Sequence, residues 1–359
     1  MKNGSNISLN ILFLFHIIPD MKGRKAFMKN YFSFFILFIL VNLAAQAQQE
    51  PLFSNYMLMR SVTNRSLVGS NNAIDAIFCN RTMFAGFNKD EENSGNPVTS
   101  VFGVETPVEI FGKKSGIGIL MMNDRIGFQQ DIKVDLTYSY HHQMENGTLG
   151  VGVSLGFNNY NLTPTWSFPD DPDYDGFWTE QGNDPAIPLE MKPIVFALGL
   201  SAYYETSLYY VGLSASNINR GNISNTDNAG NEFVYSYYTT NFNLSGAYNI
   251  ELPDPLFDLK PSFVLRTDLA AYMLDLNATV FYKKRHWAGF GLRMSPVNIA
   301  SFSLLGGTEL VNGLNVGYAL DINTSGMIYG GATSHEIIVT YSFNIDTKRD
   351  MKYKSVRYL

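Results

Sequence analysis

The sequence contains a single cysteine, Cys79, so no disulfide can form within the chain. Charged residues make up only 16% of its 359 positions, well below the roughly 25% of a typical soluble domain. The formal net charge is −6, which argues against nucleic acid as a partner because nucleic-acid-binding proteins present basic surfaces. After residue 47 no apolar run approaches the ~20 residues that a membrane-spanning helix needs.

Aromatic residues are abundant instead, with 21 Tyr and 26 Phe. The mean hydropathy is −0.06, so apolar and polar residues must be interleaved rather than separated into long blocks. Such interleaving is typical of a barrel wall with one face toward lipid. A soluble β-sandwich also alternates and remains an alternative, although it has no need of Tyr and Phe at so many strand ends.

Residues 1–47 have the order of a secretory leader. A basic stretch precedes an apolar core at 31–43, and Ala45-Gln46-Ala47 forms an A-x-A cleavage site. Met28 would open an ordinary signal peptide by itself and is the expected start of translation. We therefore expect the leader to be removed and the mature chain to begin at Gln48.

Segments of about ten residues with a period of two follow the leader, which is the length and pattern of tilted membrane strands. In one of them the outward set is Leu149, Val151, Val153, Leu155 and Phe157, and the residues between them are Gly and Ser. The pattern predicts an all-β fold, an antiparallel transmembrane β-barrel of about fourteen strands over residues 73–343. Residues 48–72 are expected to be a periplasmic or plug segment, and residues 344–359 a basic tail.

The predicted connections between these strands alternate in length. The short ones lie at residues 145–146, 205–206 and 310–312, and the long, polar ones at 88–96, 160–191, 218–232 and 322–332. Bacterial outer-membrane barrels show this alternation, because their periplasmic turns are short and their outer loops are long. An even number of strands would return both ends of the wall to the periplasm.

Six blocks, in order along the mature chain, carry a resemblance to a known family. They are QQEPLFSNYM at 48–57, NRSLVGS at 64–70, NRTMFAGF at 80–87, NDRIG at 123–127, YVGLS at 210–214 and SHEI at 334–337. Together they resemble the PorP/SprF family of type IX secretion system membrane proteins. The blocks span nearly the whole mature chain.

The resemblance implies an integral outer-membrane barrel that supports export or surface attachment of particular cargo proteins, such as the adhesins of gliding bacteria. Its partners would be that cargo, other secretion components and outer-membrane lipid. Residues of the family-like blocks that could line the lumen, join the first and last strands or form turns are Asn64, Gly69, Arg81, Gly86, Asn123, Asp124, Gly127, Ser334, His335 and Glu336. The segment from Asp124 to Gly127 is expected to be a tight outer turn.

One acidic segment has the pattern of a calcium loop. Asp171, Asp173 and Asp175, followed by Gly176, match the D-x-D-x-D-G opening, in which alternate carboxylates converge on one hard cation. The Glu that an EF-hand places at position twelve is missing, since Gly182 stands there. Weak calcium binding and a solvated acidic loop both remain open, and no other cofactor is expected.

Two functions remain open on the sequence. The first is a secretion component that binds cargo or machinery, and the second is a channel or small-molecule transporter, such as a fatty-acid porter plugged by residues 48–72. An enzyme is not expected. The adjacent His141 and His142 point to opposite sides of a strand, and no serine has a His partner visible in the sequence.

Overall fold

The computed structural model describes residues 50–71, 73–85, 96–163, 191–226, 232–296, 298–324 and 333–344. Its strands, in chain order, are β1 (Ala73–Ala85), β2 (Val98–Ile110), β3 (Lys113–Ile126), β4 (Gln129–Gln143), β5 (Thr148–Leu162), β6 (Ile194–Glu205), β7 (Tyr209–Ser216), β8 (Asn222–Thr226), β9 (Glu232–Tyr237), β10 (Asn241–Tyr248), β11 (Ile250–Glu251), β12 (Phe257–Thr267), β13 (Tyr272–Tyr282), β14 (His286–Met294), β15 (Ile299–Val311), β16 (Leu314–Asn323) and β17 (Thr333–Asn344). No helix in these residues is long and apolar enough to cross a membrane.

The long strands form one closed antiparallel barrel. Consecutive strands pair with each other, β7 pairs with β10, and β1 pairs with β17 to close the wall. The two-residue β11 continues β10 along the edge of β12, whereas β8 and β9 form a separate two-stranded sheet. The wall therefore has 14 strands, as the sequence predicts.

Side chains of the wall alternate between the outside of the barrel and its lumen. Val151, Val153 and Leu155 are exposed on the outside, which confirms their predicted orientation, whereas Ser154 is buried on the lumen side. Leu136 of β4 is also exposed on the outside. An apolar exterior over a polar interior inverts the pattern of a soluble protein. It suits a wall that is surrounded by lipid.

Aromatic pairs lie on the outer face near both rims of the barrel. The ring centroids of Tyr204 and Tyr209 are 6.1 Å apart and those of Phe257 and Tyr282 are 5.1 Å apart. At the opposite rim, the rings of Phe157 and Phe196 meet edge to face at 5.8 Å. Aromatic girdles at both membrane interfaces are typical of outer-membrane barrels.

The long connections all leave the same end of the barrel, because antiparallel strands alternate in direction. They span residues 86–97, 163–193, 217–240 and 324–332, and we call this the long-loop end. The opposite, short-turn end carries tight turns, among them residues 111–112 and 312–313.

Several predicted connections differ from the structure, in each case because strands pair where the sequence pattern indicates a turn or loop. β6 continues through Glu205 and β15 through Val311, so two of the turns begin later than predicted. The predicted loop 218–232 contains β8 and the first residue of β9. The predicted turn from Asp124 is confined to residues 127–128, since β3 and β4 pair as far as Ile126.

Residues 50–71, which we call the plug, lie inside the barrel. They contain 3-10 helical turns at Tyr56–Leu58 and Arg65–Leu67 and one α-helical turn at Arg60–Thr63. Phe53 and Met59 of the plug pack on a buried cluster formed by Ile77, Cys79, Val101, Leu120, Met122 and Ile338. Tyr56 and Met57 pack on a second cluster formed by Val264, Phe281, Trp287, Leu305 and Ala319. The hydrophobic core thus lies between the plug and the wall.

Candidate functional site: the plugged lumen

A cluster of buried charges lines one side of the lumen. Arg81 of β1 donates to Asp321 of β16 at 2.5 Å and to Glu336 of β17 at 3.0 Å. Arg293 lies 2.6 Å from Asp275 and 3.6 Å from Asp321. The remaining member is Arg266, 2.7 Å from Asp275. Three guanidinium groups face three carboxylates, so the cluster is neutral, as a buried ionic network must be to limit its desolvation penalty.

The plug enters this ionic cluster through two consecutive residues. The main-chain N–H groups of Ser54 and Asn55 each donate to Glu336 at 2.8 Å, and the Asn55 amide adds a bond of 2.9 Å. The Ser54 hydroxyl donates to Asp321 at 2.7 Å, and Asn277 donates to the Ser54 carbonyl at 2.9 Å. Wall side chains therefore recognise the main chain of the plug as well as its side chains.

Tyr56 extends this contact toward β12. Its hydroxyl lies 3.1 Å from the hydroxyl of Ser262. Burial raises the pKa of Tyr56 above its usual value. The phenol therefore stays protonated at all physiological pH values and keeps its hydrogen bond to the wall.

Two arginines of the plug contact the opposite side of the wall. Arg60 lies 3.1 Å from Glu205, and its guanidinium sits 4.4 Å from the ring centre of Tyr210. Arg65 lies 2.9 Å from Asp135 and also donates to two carbonyls of the preceding helical turn, at 2.9 and 2.7 Å. Because these contacts lie across the lumen from the ionic cluster, the plug is held from both sides.

Asn64 connects the plug to the main chain of the wall. Its side-chain amide donates to the carbonyls of Ala202 and Leu213, at 2.9 and 3.3 Å. Its side-chain oxygen accepts from the Ser66 N–H at 3.1 Å and so caps the second 3-10 turn. One side chain therefore fixes both the local fold of the plug and its position against β6 and β7.

Glycines on the lumen face allow the plug to approach the wall closely. A Cβ at Gly152 would lie 2.7 Å from the Ser66 Cα, and one at Gly116 would overlap the Val68 carbonyl. Gly69 has a φ of +68°, and a side chain there would collide with the backbone of Gly116. The small inward residues of the sequence thus provide space that the plug occupies.

The plug leaves the lumen near the short-turn end. The Val68 carbonyl accepts from the hydroxyl of Ser139 at 2.5 Å and lies 3.0 Å from Nε2 of His141. Nδ1 of the same imidazole lies 3.1 Å from the Tyr203 hydroxyl. His141 is therefore a lumen residue that holds the plug, whereas His142 is exposed.

A third apolar cluster lies at the long-loop end. Ile223 of β8 and Tyr238, just after β9, pack on Tyr160, Met191 and Val195. The Tyr238 hydroxyl donates to Asp131 of β4 at 2.9 Å. This contact tethers the β8–β9 hairpin to the inner rim of the wall.

The predicted family-motif residues separate into three groups. Asn64 and Gly69 belong to the plug, and Arg81 and Glu336 form the ion pair that joins β1 and β17. Ser334 is buried beside that pair, within 3.4 Å of the Phe84 N–H.

The other described motif residues lie on the outer face or near the long-loop end. His335 lies on the outer face, with its Nδ1 2.6 Å from the Tyr318 hydroxyl. Asn123 accepts from Gln130 at 2.8 Å, and Asp124 accepts from Thr99 at 2.6 Å, both near the long-loop end. Gly127 forms the adjoining turn with a φ of +57°. Gly86 and the proposed calcium ligands Asp171, Asp173 and Asp175 lie outside the described residues. Within the described ranges, no group of three acidic, His or Cys side chains is arranged to hold a metal ion.

Four residues of the ionic cluster were not predicted from the sequence, namely Arg266, Asp275, Arg293 and Asp321. Three of them, Asp275, Arg293 and Asp321, share one signal, which is a charge between two apolar neighbours in a strand. Asp275 stands between Leu274 and Leu276, and Asp321 between Leu320 and Ile322. Such a charge must face the lumen, because the other face of the strand meets lipid.

The closed wall, its apolar exterior and its filled lumen define a bacterial outer-membrane β-barrel whose pore is occupied by residues 50–71 of the same chain. The chain belongs to the PorP/SprF family of type IX secretion system membrane proteins, because residues 45–341 match the sequence pattern of that family. It is therefore an integral outer-membrane protein of type IX secretion.

A comparison with solved structures finds matches of low sequence identity. The CymD monoaromatic hydrocarbon channel is 11% identical, with a TM-score of 0.49 over 83% of this chain and 94% of that one. The Acinetobacter baumannii outer membrane protein Omp33 is 5% identical, with a TM-score of 0.43 over 76% of this chain and 100% of that one. A search of curated protein sequences found no significant match.

Proposed function

We propose that this barrel is a closed docking component of type IX secretion, which binds particular exported proteins at its long-loop end and retains them at the cell surface. Surface adhesins are the expected class of cargo. The barrel performs no catalytic step and requires no cofactor in this role. Its other partners are further secretion components and the outer-membrane lipid around the wall.

The observation that carries the proposal is the occupation of the lumen by residues 50–71. The plug is bonded to the ionic cluster on one side through Ser54 and Asn55, and to Glu205 and Asp135 on the other through Arg60 and Arg65. A barrel closed in this way does not offer a path for a folded or extended cargo chain. Its contribution to secretion is therefore binding rather than conduction.

The space left around the plug argues against a small-molecule channel. Two cavities between the plug and the wall have volumes of about 70 and 50 Å³. An engineered cavity that holds benzene has a volume of about 150 Å³. Transport of a hydrocarbon or fatty acid would therefore require the plug to move first.

The test is deletion of the gene in its own bacterium, followed by quantitative proteomics of the cell surface and the medium. The proposal predicts that one or a few surface proteins shift into the medium or the periplasm, and that the intact gene restores them. An unchanged surface proteome together with altered uptake of small solutes would support the transporter instead.

A further inference from the structure

The β8–β9 hairpin stands apart from the barrel wall at the long-loop end. It is a two-stranded sheet of its own, with Asn222 opposite Tyr237 and Thr226 opposite Glu232. An isolated two-stranded hairpin is only marginally stable in water. Contacts with another part of the protein must therefore stabilise the paired strands of this hairpin.

The support lies at the base of the hairpin. Ile223 is 1% exposed and Tyr238 is 7% exposed, both within the cluster that includes Val195. The Tyr238 hydroxyl donates to Asp131 at 2.9 Å, and its N–H donates to the Gly221 carbonyl at 3.0 Å. The base is thus fixed to the wall, which holds the strands above it in one orientation.

The register identifies which main-chain groups of β9 face away from β8. In an antiparallel pair of strands, every second pair of opposed residues exchanges main-chain hydrogen bonds. The N–H and C=O groups of the pairs between them point away from the partner strand. The bond between Tyr238 and Gly221 sets this alternation. The register shifts between Ile223 and Ser224, where β9 contains one extra residue. Counted along β8 from the Tyr238–Gly221 pair, the outward-pointing positions of β9 beyond this shift are Val234 and Glu232.

The outer edge of β9 is open within the described part of the chain, where no other strand pairs with it. Its sequence, EFVYSY, contains one β-branched and three aromatic residues, no Lys or Pro, and a single charge, Glu232, at its first position. Edge strands that must avoid pairing with another strand usually carry Lys or Pro, or are covered by other parts of the protein. Val234 is exposed, so both the main chain and the side chain at the centre of this edge are accessible.

We propose that the outer edge of β9 is a docking strand for an extended segment of an exported protein, which adds to the hairpin as a third strand. The inference deepens the proposed function and rests on it. Strand addition provides affinity through main-chain hydrogen bonds, and alternate side chains provide selectivity. The rigid base limits the entropy lost when the segment binds.

The test compares Val234→Pro with Val234→Ala, each in the full-length barrel restored to the deletion strain. Proline removes the outward N–H and leaves the hydrogen bonds to β8 in place, whereas alanine shortens the side chain and keeps the N–H. The probe is the surface protein that the deletion strain loses most strongly. Loss of one or two edge hydrogen bonds predicts about tenfold weaker binding of that purified protein to Val234→Pro and nearly unchanged binding to Val234→Ala.

Heat-modifiable gel mobility must show a folded barrel in both variants. If Val234→Pro fails this control, Glu232→Pro removes the second outward N–H of the same edge and replaces it in the comparison. Binding by the folded proline variant at the strength of the unmodified barrel overturns the docking strand while the proposed function stands. If the unmodified barrel forms dimers and the proline variant does not, the edge pairs with a second copy of this chain, and this result also overturns the inference. No surface protein lost on deletion would instead refute the proposed function itself.

Discussion

Arg81 and Glu336 stand directly opposite each other on the first and last strands of the wall, and the guanidinium donates to the carboxylate at 3.0 Å. The same carboxylate accepts the main-chain N–H groups of Ser54 and Asn55. A single pair of residues therefore connects the seam that closes the barrel with the segment that fills it. This coupling predicts that the seam and the plug lose stability together.

Arg81→Ala should destabilise the barrel by about 3–5 kcal/mol, because it leaves Glu336 and Asp321 without their shared buried partner. The measurement is the free energy of unfolding in urea, from the refolded protein in lipid vesicles. Arg125→Ala, at an exposed position of β3, is the matched control and should change this free energy by less than about 1 kcal/mol. Equal effects of the two substitutions would contradict the role of the ion pair at the seam.

Val153→Arg should lower the stability of the membrane-inserted barrel by about 2–4 kcal/mol, since Val153 faces outward in the middle of β5 and a cation there meets hydrocarbon. Val153→Leu keeps an apolar side chain and should have little effect. Ser154→Arg, on the buried lumen face, should instead disturb the region around the plug. Identical assembly of the Val153→Arg and unmodified barrels would place this face away from lipid.

The barrel class and the alternation of its faces could be predicted from the sequence, because lipid and lumen impose opposite polarity on adjacent residues of each strand. The correct orientation of Val151, Val153 and Leu155 follows from that constraint. The strand ends could not be predicted as well. Glu205 pairs with Thr148 at the rim, where polarity no longer separates a strand from a turn.

The site was harder to predict, because its contacts join residues that are far apart in the chain. Arg81 and Glu336 fall in family-like blocks, but only the closed register makes them partners. Ser54 contacts Asp321 across 267 positions of sequence. No local pattern encodes such a contact, although a lone aspartate between apolar strand neighbours indicates a lumen charge.

Gly152→Ala should loosen the plug, because the added Cβ would lie 2.7 Å from the Ser66 Cα. The measurement is hydrogen exchange of the plug amides at residues 64–68, which should become faster. The control is Gly306→Ala, where the nearest atom would be the Trp287 carbonyl oxygen at 3.3 Å. Unchanged exchange in the plug after Gly152→Ala would show that the plug does not contact β5 at this glycine.

The predicted calcium loop at residues 171–176 is tested with the substitutions Asp173→Asn and Asp175→Asn, each of which removes one carboxylate. If the loop binds calcium, the unmodified protein resists protease in this segment better with calcium than with chelator, and each substitution removes that difference. Asp254→Asn, in a short turn outside the motif, serves as the charge-matched control. Identical digestion of the unmodified protein in calcium and in chelator would remove the calcium site.

The most direct test of the central claim, that the plug closes the lumen, is electrical conductance across a planar lipid bilayer. The intact barrel should give no steady conductance, because residues 50–71 fill the space between β1 and the strands opposite it. A variant lacking residues 50–69 should open a water-filled pore and conduct ions. Steady conductance of the intact barrel, equal to that of the variant without the plug, would contradict the account.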